Sequence, residues 1–203
     1  MSLFVGLMSG TSLDGIDAAL VEIDDESDQR PRLIDALCLP LAAELRTALL
    51  ELTQASQVSF AALGAAESAF CDHQAEAVRQ LLQRHDLTPD AITAIGSHGQ
   101  TIEHAPYADA PFTYQLDNPS RLAELTGCRV VADFRRRDMA AGGQAAPLAP
   151  IFHQALFTDT IRTRLILNLG GIANLTRLGP SGASLPVIGF DTGPANLLID
   201  AWH

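Results

Sequence analysis

This 203-residue chain carries one order of elements twice. Leu3 to Met8 is apolar, SGTSLDG is a turn with an Asp-Gly pair, and Ile16 to Ile23 is apolar again, so the chain opens as a hairpin with a polar tip. The polar stretch DDESDQRPR leads into a third strand at Leu33 to Leu39, and Ala42 to Leu52 follows as a helix. From Arg164 the same order returns. RLILNLGGIANLTRL reads as strand, glycine-rich turn, strand; PVIGFD is a third strand and PANLLIDAW opens a helix. Two β-β-β-α units, each starting with a glycine-rich hairpin tip, point to an internal duplication.

Between the copies, Ser59 to His85 is predicted as one long helix, with Phe60, Leu63, Phe70, Val78, Leu81 and Leu82 on one face and Pro89 beyond its end. Ile92 to Ser97 and Arg129 to Ala132 read as short buried strands, separated by a loop with two prolines and a helix at Pro119 to Thr126. Alternating strands and helices mean an α/β sheet.

Composition narrows the partners. A formal charge of −11 argues against a nucleic acid, which needs a basic stripe. All 13 basic residues are arginine, so neither a P-loop nor a protein-kinase lysine is available, and any phosphate must be held otherwise. Cys38, Cys71 and Cys128 match neither a zinc site nor a disulfide framework and read as reduced core thiols. The N-terminal run lacks a basic flank and is broken by glycine and serine, and no stretch is long enough to span a bilayer, which predicts a cytoplasmic protein.

Backbone N–H groups in a tight turn form a nest for anions, and neighbouring hydroxyls add donors, so Ser9-Gly10-Thr11-Ser12 suits a phosphate, with Asp14 facing a magnesium ion. The same string also reads as an ordinary turn. In the second tip, Asn168 to Asn174, glycines let backbone approach closely and the asparagines supply donors and acceptors. Two such tips suggest a cleft that grips a nucleotide's phosphates from both sides.

The order resembles the actin and hexokinase superfamily, whose two ribonuclease-H-like lobes each give a phosphate hairpin to a central ATP. Within it, GLMSGTSLDGIDAAL, GSHGQTIEH, LAELTG, VVADFRRRD, AAGGQ, NLGGIANLT and GFDTGP are similar to the strings of anhydro-N-acetylmuramic acid kinases. The resemblance implies a two-lobe α/β fold, with residues 1–135 as the first lobe and 136–203 as a connecting sugar-site loop and the start of the second. It implies that Gly10, Thr11, Ser12, Leu13, Asp14, Gly15, Ile16 and Asp17 form the ATP phosphate loop with Mg²⁺, joined by Gly170, Gly171 and Asn174, and that Asp191 is the catalytic base. Gln100, Thr101, Asp133, Arg135, Asp138 and Gln144 would lie near the sugar. Asp133 and Asp138 beside Arg135-Arg136-Arg137 read equally as a salt-bridge cluster, and His98 as a satisfied strand-end histidine.

Ala145 and Ala195 stand where the family resemblance implies glycine. The second copy stops at Ala201-Trp202-His203, which implies a truncated second lobe and an inactive fragment, and the family resemblance implies a homodimer at full length. The rival reading is a non-catalytic sugar- or nucleotide-binding member of the superfamily. Asp191 weighs against it, since a sensor needs no base there.

Overall fold

The computed structural model describes residues 2–24, 30–200 and 202, which divide into two compact units, Met1–Arg136 and Arg137–His203. Most of the polar stretch after the second strand, residues 25–29, lies outside the described residues, as do Ala201 and His203.

The first unit is an α/β layer built on strands β1 (Ser2–Ser9), β2 (Gly15–Ile23) and β3 (Arg32–Pro40), an antiparallel meander. Helices α1 (Ala43–Gln54) and α2 (Phe60–Arg84) lead to β4 (Ile92–Ala105), which returns parallel to β1. The outer edge of β4 is shared. Ile95 and Gly96 pair in parallel with β6 (Val130–Val131), and Gln100 to Ala105 pair antiparallel with β5 (Phe112–Leu116). Three antiparallel strands followed by parallel ones, in the order β3-β2-β1-β4, make a ribonuclease-H-like mixed sheet.

Alternation explains the core. Val5 and Leu7 of β1 and Ile16, Ala18 and Leu20 of β2 turn inward, against Leu45, Leu49 and Leu52 of α1 and Phe70, Val78 and Leu81 of α2. Both ends of α2 follow local chemistry, since the Ser59 hydroxyl accepts from the Ala62 N–H at 3.1 Å and the chain leaves the helix at His85. Helix α3 (Pro119–Thr126) is capped by Asn118 in front and by Gly127 in the left-handed region behind.

Three expectations need correction. Phe60 is 93% exposed, because it precedes the stretch of α2 that meets the sheet. Cys38 is exposed on β3, whereas Cys71 and Cys128 are buried; all three are free thiols. β4 does not end at Ser97. A bulge, in which Leu7 to Ser9 of β1 face Ser97 to Gln100 of β4, lets the strand run on to Ala105 and turn back as β5, where the two prolines had suggested a loop.

The second unit begins within helix α4 (Phe134–Ala140), followed by α5 (Ala149–Phe157), strands β7 (Arg164–Leu169), β8 (Ile172–Leu178) and β9 (Ile188–Pro194), and α6 (Asn196–Asp200). Its sheet is antiparallel in the order β7-β8-β9. Pro150 of α5 sits where a side chain at Gly189 would be, and His153 bonds the buried Thr176 hydroxyl at 2.8 Å, so α5 covers β8 and β9.

Strand β7 is left as an apolar edge, with Leu165, Leu167 and Leu169 all more than half exposed. Rows of this kind drive association through unpaired edges and bare apolar surface. The isolated 203-residue chain is therefore expected to elute from size-exclusion columns as dimers or larger species, and Leu167→Arg to shift it towards monomer. A monomeric parent chain would contradict this.

Candidate active site

The site assembles where parallel strands end. β1, β4 and β6 run in the same direction, so their carboxyl ends share one edge of the first unit, the usual position for a ligand in such sheets. Ser9, the last residue of β1, pairs with Gln100, which sets the first hairpin tip beside the bulge of β4; the chain leaving β6 adds Asp133 and Arg135.

The tip is held from below. The Ser9 hydroxyl donates to Gly15 O at 3.1 Å, Leu13 N–H donates to Gly10 O at 3.3 Å, and Leu41 N–H donates to Asp14 O at 3.2 Å. Leu13 adopts φ +55° and buries its side chain in the core, so an apolar plug anchors an otherwise polar loop. That conformation is a cost a leucine bears only where its surroundings impose it. Thr11 and Asp14 remain exposed, and a Cβ at Gly10 would meet only the Ser12 hydroxyl, at 3.7 Å. Open backbone, two hydroxyls and a carboxylate fit a magnesium-bound phosphate chain. Among the described residues no three His, Cys, Asp or Glu side chains converge to hold a metal. A magnesium ion at Asp14 would take its other ligands from phosphates and water. Gly15 differs from Gly10, because a Cβ there would lie 2.7 Å from Leu39 O and 2.8 Å from Cys38 Sγ.

At the bulge, Gly99 has φ +73° and leaves no room for a side chain, with Leu116 O only 2.8 Å from a Cβ. Gln100 is buried, and its Oε1 lacks a hydrogen-bond partner among the described residues, an orphan acceptor suited to a ligand hydroxyl. Thr101 Oγ1 accepts from Gln115 Nε2 at 3.2 Å. His98 Nδ1 lies 2.7 Å from Gly99 O, and Arg135 Nε donates to His98 Nε2 at 2.7 Å. Burial, and then the Arg135 charge, lowers the His98 pKa to about 4. Beneath, Gln74 donates to the buried Ser97 hydroxyl at 2.9 Å next to Asp117, whose pKa is raised by burial. This polar layer under β4 carries no sequence pattern that would have revealed it.

The remaining sugar-side candidates differ. Asp133, at φ +63°, pairs with Arg136 at 2.6 Å on the surface. Asp138 Oδ2 accepts from Ala145 N–H at 2.7 Å, and its carboxylate fills the space beside Gly143, so it organises the 142–145 loop from within. Gln144 in that loop is exposed. Ala145 is buried at φ +63°. Glycine would relieve about 1–2 kcal/mol of left-handed strain, but would cost about 0.5–1 in backbone entropy and about 0.8 for the buried methyl. These offset, so Ala145→Gly is expected to change thermal stability by less than about 1 kcal/mol, read by calorimetric unfolding. Ala195 is outside the positive-φ region, which accounts for alanine at that position too.

In the second unit, the Gly170 and Gly171 carbonyls accept from Asn196 and Ala195 N–H at 3.0 and 2.9 Å, tying the tip to α6. Asp191 lies opposite Asn174 on β8, next to a bulge at Thr192; Gly193, at φ +144°, pairs again with Ala173. Among the described residues the exposed Asp191 carboxylate makes no hydrogen bond or ion pair, and the buried Asn174 Oδ1 has no hydrogen-bond partner.

The family model for anhydro-N-acetylmuramic acid kinase matches residues 2–203. The chain belongs to the anhydro-N-acetylmuramic acid kinase family. Curated relatives bearing that name include one from Chromohalobacter salexigens, 65% identical over all of this chain and 54% of its own length. Another, from Pseudomonas putida, is 50% identical over all of this chain and 53% of its own. The chain thus spans about half the length of the anhydro-N-acetylmuramic acid kinases it matches. Among solved structures, a reductive activator for a corrinoid,iron-sulfur protein aligns with 95% of this chain and 31% of that chain at TM-score 0.45 and 12% identity, a distant likeness from which nothing functional follows. No helix among the described residues is long and apolar enough to cross a membrane.

Proposed function

We propose that this chain is the N-terminal portion of a cytoplasmic, homodimeric kinase that opens the 1,6-anhydro ring of anhydro-N-acetylmuramic acid and phosphorylates O6, giving N-acetylmuramic acid 6-phosphate in cell-wall sugar recycling. Family membership supports the substrate. Within the chain, the observation that carries the reading is the pairing of Ser9 with Gln100, which sets an open, hydroxyl-rich glycine tip beside an orphan buried acceptor at the carboxyl ends of parallel strands.

In this reading the tip holds the nucleotide phosphates through Gly10, Thr11, Ser12 and Asp14, with Asp14 on the magnesium side, while Leu13 and Ile16 anchor it in the core, and Gly170, Gly171 and Asn174 support the phosphates from the second tip. Gln100, Thr101, Asp133, Arg135 and Gln144 hold the sugar, with Asp138 shaping the loop that carries Gln144. ATP supplies the phosphoryl group that O6 takes up as its bond to C1 breaks. Asp191 removes a proton from the water that attacks C1, in the manner of an inverting glycosidase with an oxocarbenium-like transition state. Among the described residues its exposed carboxylate has no competing partner to release first.

The test compares substrates. The full-length enzyme with ATP and Mg²⁺ should release ADP with the anhydro sugar and not with N-acetylmuramic acid, whose O6 is a hydroxyl rather than a group leaving C1. Comparable turnover of the open sugar would replace this reading with that of a simple sugar kinase.

A further inference from the structure

Given the reading that Arg135 meets the sugar, on which this inference rests, we propose that His98 is a positioning residue: a neutral imidazole carrying its proton on Nδ1, it fixes the guanidinium plane of Arg135 and so shapes the sugar site without transferring a proton. Two bonds of 2.7 Å decide the tautomer. A carbonyl only accepts, so Nδ1 bears the hydrogen that meets Gly99 O. A guanidinium only donates, so Nε2 offers its lone pair to Arg135 Nε–H.

The ring is held by backbone on one side. Gly99, at φ +73°, is packed against Leu116 O and Asp117 Cβ, which would lie 2.8 and 2.9 Å from any side chain there, so the carbonyl that receives Nδ1 is itself fixed. On the other side, Arg135 stands in the first turn of α4, and Phe134 packs on Gly96 of β4, at 3.7 Å from a Cβ built there. A guanidinium is planar, so directing Nε–H sets where its two terminal amino groups lie. A proton shuttle would need Nε2 open to the ligand, and here a cation's N–H occupies it. The 37-residue separation between these two side chains is closed by the β4–β6 pairing, which brings α4 beside the bulge.

The test uses the full-length enzyme labelled with ¹⁵N. Long-range ¹H–¹⁵N spectra, assigned by loss of a signal in His98→Gln, should show His98 protonated at Nδ1 and bare at Nε2, with no titration between pH 7.5 and about 5. In kinetics, His98→Ala should raise the sugar KM about tenfold or more while leaving the ATP KM within about twofold, the loss expected for one hydrogen bond to a charged group. His98→Gln, which restores an acceptor, should recover most of that loss. In an Arg135→Ala background, His98→Ala should add less than about twofold. An Nε2–H tautomer, ordinary titration near pH 6.5, or additive losses in the double variant would overturn the positioning role while leaving the kinase reading intact. If Arg135→Ala leaves the sugar KM unchanged, the sugar-site assignment of Arg135 fails and this inference falls with it.

Discussion

Asp191→Asn is expected to lower kcat of the full-length enzyme by about 10²–10⁴-fold, the usual contribution of a positioned general base. The amide keeps the side chain's shape and loses only its capacity to take a proton from water. The local structure predicts that little else changes. Asp191 is exposed at the middle of β9, makes no ion pair or hydrogen bond among the described residues, and leaves no buried partner orphaned when its charge is removed. The strand bends there through Thr192 and Gly193, and Thr192 is tied to Ala173 O at 3.2 Å, so backbone rather than Asp191 holds the geometry. Nucleotide affinity by calorimetry should stay within about twofold, and the unfolding midpoint should be unchanged. A variant that kept most of its turnover would remove Asp191 from the mechanism.

The second large effect separates two glycines of the same tip. At Gly10 the backbone is outside the positive-φ region and a Cβ finds only the Ser12 hydroxyl at 3.7 Å, so Gly10→Val should fold with a stability change within about 0.5 kcal/mol. Its branched side chain would instead occupy the space through which phosphates approach the backbone, and ATP affinity should fall about tenfold or more, equivalent to about 1.4 kcal/mol, with sugar affinity retained. At Gly15 the same change drives a Cβ into Leu39 O and Cys38 Sγ of β3, so Gly15→Val should destabilise the first unit by about 1–3 kcal/mol as β2 and β3 are pushed apart. Thermal unfolding and separate calorimetry with each ligand distinguish the two. If Gly10→Val weakened both ligands alike, or neither, the phosphate-tip reading would fail.

Much of the fold is legible in local patterns because local chemistry sets it. The hairpins show as apolar runs around glycine-rich turns, α2 shows in its apolar face and Ser59 cap, and α3 in Asn118, Pro119 and Gly127. The continuation of β4 is hidden because its bulge sets His98 and Gly99 together opposite Met8 and so breaks the alternation, which looks like a terminus. Helix α5 is nearly apolar throughout and begins next to prolines, so it offers no amphipathic period to read. In the site, the tip is visible as a string, but its anchor is not. Leu13 looks misplaced in a polar loop until its burial is seen. The pairing of Ser9 with Gln100 and of His98 with Arg135 depends on register across strands distant in sequence, which no local pattern encodes.

In the proposed reaction one active site both hydrolyses a ring and transfers a phosphoryl group. Mass spectrometry of the product formed by the full-length enzyme from anhydro-N-acetylmuramic acid, ATP and Mg²⁺ in H₂¹⁸O tests it most directly. The expected product is N-acetylmuramic acid 6-phosphate with a single ¹⁸O at C1 and none in the phosphate. A phosphorylated sugar with its anhydro ring intact, or label in the phosphate rather than at C1, would contradict it.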